Sequence, residues 1–267
     1  MSDAVKPSGP EGTLTFWDHL DELRSVLIRI LVITAIAAAA AFCLKETLFA
    51  VVLAPRSSDF ITYRLLGVEP FAIHLMNTGL TEQFMIHMKV AFYCGLLLAS
   101  PYVLYELFAF VSPALYDKER KPAVKVVGCA YAMFLLGTAV NYFIVFPLTV
   151  RFLGTYQVSP DVTNMLTIQS YADTLISMSL VLGVVFELPV VSWLLALLGI
   201  LRWEHMARFR KHAVVVILVV SAIITPTTDA FTLFVVALPI WLLYEASILI
   251  VRATRRKKKQ ESVSSEA

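Results

Sequence analysis

Charge is the first thing this chain lacks. Only 16% of its residues are Asp, Glu, Lys or Arg, against about 25% in an average soluble protein. That leaves too little polar surface to cover a globule in water. Cysteine is scarce too. Cys43, Cys94 and Cys129 stand far apart inside apolar runs, which fits neither a disulfide framework nor a zinc site and reads as three small buried hydrophobes. No HExxH, GxGxxG, P-loop or GxSxG pattern occurs, which removes the common hydrolase and nucleotide-binding chemistries, and with them any expected cofactor or resident metal. The first 25 residues hold no contiguous apolar stretch with a small-residue cleavage site, so no cleaved signal peptide is expected. Neither a regular repeat nor an inverted one is visible.

Apolar sequence is abundant: 58% of residues are hydrophobic and the mean hydropathy is +0.76. Runs of about 20 apolar residues are needed to cross a hydrocarbon core of ~30 Å, and several are present. The expected fold is an all-α polytopic membrane protein. Residues 1–14 are polar and rich in Pro and Gly, and read as a disordered tail. From Thr15 on, Phe16, Leu20, Leu23 and Leu27 recur at helical spacing, with Asp18, Asp21 and Glu22 toward the other side, as in a helix lying at a membrane surface. It leads into a first span over about Val26–Leu44, where Arg29 can snorkel to the interface.

Lys45–Thr81 is too mixed to span and reads as an ordered loop with short helical pieces. The second span runs from about Phe84 to Val111, the third from Val124 to Leu148, and the fourth from Tyr171 to Leu201 with Glu187-Leu188-Pro189 in its middle. The last two apolar runs, Ala213–Thr225 and Ala230–Tyr244, are 13 and 15 residues long, roughly 20 and 22 Å as helices, and predict a short hairpin. Thr227, Thr228 and Asp229 form its connection, with an N-cap for the last helix. The sum is six transmembrane helices forming one domain over residues 15–251, followed by a basic tail at 252–267. Lys118, Arg120, Lys121, Lys125, Arg202, Arg208, Arg210, Lys211 and the tail fall on one side of the membrane, so the positive-inside rule puts both termini in the cytoplasm. The tail's RRKKK is a topology anchor with affinity for anionic lipid.

Candidate functional residues are the carboxylates. Glu187, midway along an apolar helix, reads as a proton site or as a polar contact for another transmembrane helix. Glu106 and Glu245 lie near the cytoplasmic ends of their spans, either snorkelling or functional, and Asp229 is an N-cap or a functional acid. Asp18, Asp21, Glu22 and Glu119 put acid on a face where basic residues are the rule. Such a cluster suits bidentate recognition of a guanidinium. His19 and His87 read as interfacial residues. A proton-coupled small-solute transporter with Glu187 and Glu106 as relay is the alternative function, and an intramembrane enzyme would need partners that these isolated carboxylates lack.

Several stretches resemble, in order, the TatC family, the multispan subunit of the twin-arginine protein translocase. They are HLDELR (His19–Arg24), SPYVLYELFAFVSPALYDKER (Ser100–Arg120), Asn141-Tyr142-Phe143 with Phe146–Leu148, GVVFELPV (Gly183–Val190), ITPTTD (Ile224–Asp229) and LPIWLLYE (Leu238–Glu245). The likeness runs from about Thr15 to Val251. It implies a concave six-helix assembly without enzymatic activity, located in the cytoplasmic membrane of a prokaryote. It implies recognition of Arg-Arg signal peptides of folded proteins at Glu22, Phe110 and Glu119, with Arg24 and Glu106 in the same group. Glu187, Asp229 and Glu245 would face partner transmembrane helices. The implied partners are the single-span TatA and TatB, lipid and further copies of the chain, with no nucleic acid, and transport driven by the proton-motive force. The family often has Gln where this chain has Glu106.

Overall fold

The computed structural model describes residues 16–67, 70–71, 73–111, 121–157, 159, 165–225 and 229–265. Helix α1 (Phe16–Phe42) is continuous, so the surface helix and the first span are one rod. It lies antiparallel along α4 (Glu82–Val111), which carries Pro101 inside it. A Cβ on Gly95 would come within 2.4 Å of the Ala38 nitrogen. The missing side chain is therefore what lets the two backbones touch, the usual route to close helix packing in a bilayer.

Between these helices the chain builds a small cap at one end of the bundle: α2 (Lys45–Leu53), a 3-10 turn (Ala54–Arg56), α3 (Ile61–Leu65) and β1 (Leu75–Met76). Tyrosine hydroxyls pin it down. Tyr63 donates to the carbonyls of Pro55 and Pro147 at 3.0 and 2.8 Å, Tyr142 to Val51 at 2.7 Å and Tyr171 to Val52 at 3.0 Å. Residues β1 and β2 (Leu166–Thr167) pair in parallel, Leu75 with Leu166 and Met76 with Thr167. Glu82 secures the join by accepting from the N–H groups of Thr78 (2.8 Å), Gly79 (2.7 Å) and Gln169 (3.2 Å). His87, expected at the interface, is instead buried and stacked on Phe42 with centroids 4.0 Å apart.

The third span is α5 (Lys121–Val140), a π turn (Asn141–Val145) and α6 (Phe146–Thr155). It continues beyond Leu148 because Pro147 sits in the first turn of α6, where its missing N–H is tolerated. Pro147 has no N–H to return to the Phe143 carbonyl, and the Thr62 hydroxyl donates to that oxygen. The fourth span is two helices, α7 (Ile168–Val185) and α8 (Leu188–Leu197), broken at Phe186-Glu187. Pro189 cannot bond the Val185 carbonyl, and the new helix starts with Val191 N–H on the Glu187 carbonyl at 2.9 Å. Added Cβ atoms on Gly137 and Gly183 would meet Leu182 O and Phe134 at 2.7 Å, so α5 and α7 also cross closely. Ile86, Val145, Phe146, Met178, Leu182 and Val236 fill the core between these helices.

Helices α9 (Trp203–Arg208), α10 (Arg210–Ile224) and α11 (Ala230–Ser265) complete the chain. Only one arm of the final hairpin is short. Helix α10 has 15 residues, about 22 Å, whereas α11 has 36 and stays apolar from Ala230 to Thr254. The apolar run pauses at Glu245, but the helix does not stop there: Glu is a good helix former, its carboxylate meets Arg210 at 2.8 Å, and apolar residues resume to Val251. Leu20–Phe42, Glu82–Phe110, Val126–Thr155, Ile168–Leu197 and Ala230–Thr254 are each long and apolar enough to cross a membrane. The cysteines are free but not buried: Cys43 and Cys129 are exposed and Cys94 is half-buried. A thiol is apolar enough to face a hydrocarbon solvent, so an apolar run does not say which side faces inward.

Candidate functional site

Two stripes face each other where α1 meets α4. Glu22, Val26 and Arg29 lie on one face of α1 at helical spacing, and Val26 is 3% exposed. Tyr102, Glu106 and Phe110 lie four apart on α4. Arg29 does not snorkel away. Its Nη1 donates to both oxygens of Glu106, at 3.2 and 3.3 Å, and the Tyr102 hydroxyl donates to Oε1. Glu106 is buried while the Arg29 side chain is 54% exposed. The carboxylate lost its water on burial, and two charged contacts and one hydroxyl replace it. Towards the N-terminal end of α1, Glu22 is half-buried and Arg24 exposed, and Phe110 lies half-buried one turn beyond Glu106. Glu119 falls outside the described residues.

Glu187 sits at the break between α7 and α8. Both its carboxylate oxygens are buried and have no hydrogen-bond partner among the described residues. Its neighbour Phe186 packs on Gly137 and on an apolar cavity of about 520 Å³ bounded by Val145, Leu238, Pro239 and Leu243. About two turns earlier on α7, Ser179 Oγ accepts from Asn141 Nδ2 of the third span at 2.7 Å.

Asp229 and Glu245 are not brought together. Asp229 Oδ1 accepts from Thr232 N–H at 2.7 Å and caps α11, while Glu245 lies 16 residues along the same helix, about 24 Å away. Around Glu245, Tyr244 donates to the Met206 carbonyl at 2.8 Å and Arg252 lies 5.1 Å over Trp203, which ties α9 to α11, while the Arg210–Glu245 pair ties α10. No cluster of His, Cys, Asp and Glu able to hold a metal exists among the described residues.

The structure thus gathers Glu22, Arg24, Glu106 and Phe110 at one end of the α1–α4 pair and leaves Glu187 and Glu245 on other helices. Sequence reasoning missed Arg29. Its signal was available: two opposite charges, each in an apolar helix and each close to the same end.

The fold defines an all-α polytopic membrane protein whose described spans carry Glu106, Glu187 and Glu245. Residues 18–239 match the family described as Sec-independent protein translocase protein (TatC). TatC of Desulforapulum autotrophicum is 34% identical over 92% of this chain and 87% of its own length. That of Halalkalibacterium halodurans is 35% identical over 92% of both, and TatCy of Bacillus subtilis 32% identical over 94% of both. A crystal structure of the twin-arginine translocase receptor TatC superposes with a TM-score of 0.74 at 31% identity, covering 89% of this chain and 99% of that one. The chain belongs to the TatC family. It is therefore a multi-pass membrane component of the twin-arginine protein translocation system, which favours protein transport over the small-solute alternative.

Proposed function

We propose that this chain is the receptor core of its translocase: it binds the Arg-Arg signal peptide of a folded protein at the α1–α4 end and recruits single-span TatA- or TatB-type partners along its other helices. The observation that carries this reading is the match to a twin-arginine translocase receptor over nearly the whole of that structure. Glu22 and Glu119 supply carboxylates for the two guanidinium groups, since planar bidentate pairing suits this recognition. Phe110 and Arg24 shape the same end, and Glu106 acts from within it. Glu187 is the polar contact for a partner's transmembrane helix, and its unpartnered oxygens support that role. Asp229 and Glu245 flank the docking surface on α11.

In this reading the chain lies in the cytoplasmic membrane of a prokaryote with both termini in the cytoplasm and the basic 252–267 segment against anionic lipid. It works with further copies of itself, has no enzymatic activity or cofactor, binds no nucleic acid, and uses the proton-motive force. Deleting the gene and following a folded reporter that carries a twin-arginine signal tests the function: export must stop. At the site, Glu22→Ala with Glu119→Ala must reduce crosslinking to the signal peptide while membrane insertion persists. Retained export with Glu119→Arg would rule out electrostatic recognition.

A further inference from the structure

Glu106 lies on the same face as Phe110, about a turn and a half before the end of α4, and is only 6% exposed. A desolvated carboxylate attracts a guanidinium more strongly than a hydrated one. Left open, it would compete for an incoming arginine with Glu22, which is less buried and lies seven residues from Arg29 towards the start of α1. It is not open. Arg29 Nη1 contacts both of its oxygens at 3.2 and 3.3 Å, and Tyr102 takes a further lone pair. Arg29 is tethered to a helix packed on α4, so its local concentration at Glu106 exceeds that of any peptide arriving from solution. Its side chain remains 54% exposed, so it stands on the approach to the carboxylate.

We infer that Arg29 is a built-in counter-cation that withholds Glu106 from arginine recognition, so that a twin-arginine signal is read at the level of Glu22 and not about two turns deeper. Arg29 and Glu106 are then positioning residues: neither touches the signal, and together they set its depth. The inference rests on the receptor reading above.

A photoreactive amino acid placed at Ser25 reports the Glu22 level, and one at Val103 the Glu106 level. The two lie about 10 Å apart along the helix pair. A labelled twin-arginine precursor is crosslinked to membranes holding the unaltered protein, Arg29→Gln, or Arg29→Gln with Glu106→Gln. The unaltered protein is expected to give adducts at Ser25. Arg29→Gln shifts the Val103-to-Ser25 adduct ratio upward by about tenfold, and the double variant restores it, which a purely structural role for Arg29 would not produce. The swap Arg29→Glu with Glu106→Arg keeps a pair and keeps adducts at Ser25. Should Arg29→Gln fail to accumulate, Arg29→Lys replaces it; the shorter side chain keeps the charge but loses the delocalised guanidinium, and a smaller shift in the same direction is expected. Adducts at Ser25 that ignore the loss of Arg29 overturn this inference alone. No adduct at either position in the unaltered protein overturns the receptor reading and this inference with it.

Discussion

Glu106 on α4 and Glu187 between α7 and α8 are both carboxylates within apolar spans, yet their surroundings are opposite. Glu106 lies in an unbroken helix and meets a hydroxyl from one turn away and a guanidinium from the neighbouring helix. Glu187 lies where the helix is broken, with both oxygens buried and no partner among the described residues. A charge in hydrocarbon is tolerated when something answers it. At Glu106 the answer comes from this chain. At Glu187 no described residue supplies one, which supports the proposal above that this group meets a partner's helix.

That contrast can be broken in stability measurements, taking thermal midpoints of the protein in detergent. Arg29→Ala strands Glu106 and is expected to cost about 3 kcal/mol, the lower end for losing one member of a buried pair because Arg29 is half in solvent. An unchanged midpoint would show that Glu106 is answered elsewhere. Gly95→Val attacks the same α1–α4 contact through shape alone, since its Cβ would overlap the Ala38 backbone. A loss of about 2 kcal/mol is expected, together with faster proteolysis of α1. Asp229→Ala removes the N-cap of α11 and is expected to cost about 1 kcal/mol, with Asp229→Asn near the original value.

The smallest effect sharpens the comparison most. Glu187→Gln replaces a carboxyl group that no described residue holds, so stability should stay within about 0.5 kcal/mol or rise. Export of a twin-arginine reporter should nonetheless fall if Glu187 serves a partner helix. A large stability loss in Glu187→Gln would instead mean that the chain itself pairs with this carboxylate.

The helices were legible in the sequence because their cause is local. A run such as Val26–Leu44 is long and apolar enough to cross a bilayer, and the backbone there must satisfy itself as a helix. The break at Phe186-Glu187 was not legible: Pro189 frees the Val185 carbonyl, but Pro101 and Pro239 remove the same bond inside helices that stay unbroken. Nor was the length of α11. The apolar run pauses at Glu245, and the helix carries that residue onward, where it meets Arg210 of α10. The candidate site was half legible: the acidic residues near the start of α1 stand out against their basic surroundings, whereas Arg29 as the partner of Glu106 lies 77 residues away in sequence.

By itself, then, the sequence determined that the chain is a membrane-spanning bundle, roughly where its apolar spans lie, and to which family it belongs. These follow from hydropathy and ordered motifs, all read along one strand of chain. Tertiary structure alone decided which carboxylate is answered and which is not. It did the same for the β1–β2 pairing and for the outward-facing cysteines. Each depends on what a side chain meets across a helix crossing, and a hydropathy pattern gives the depth of a residue without giving its neighbour.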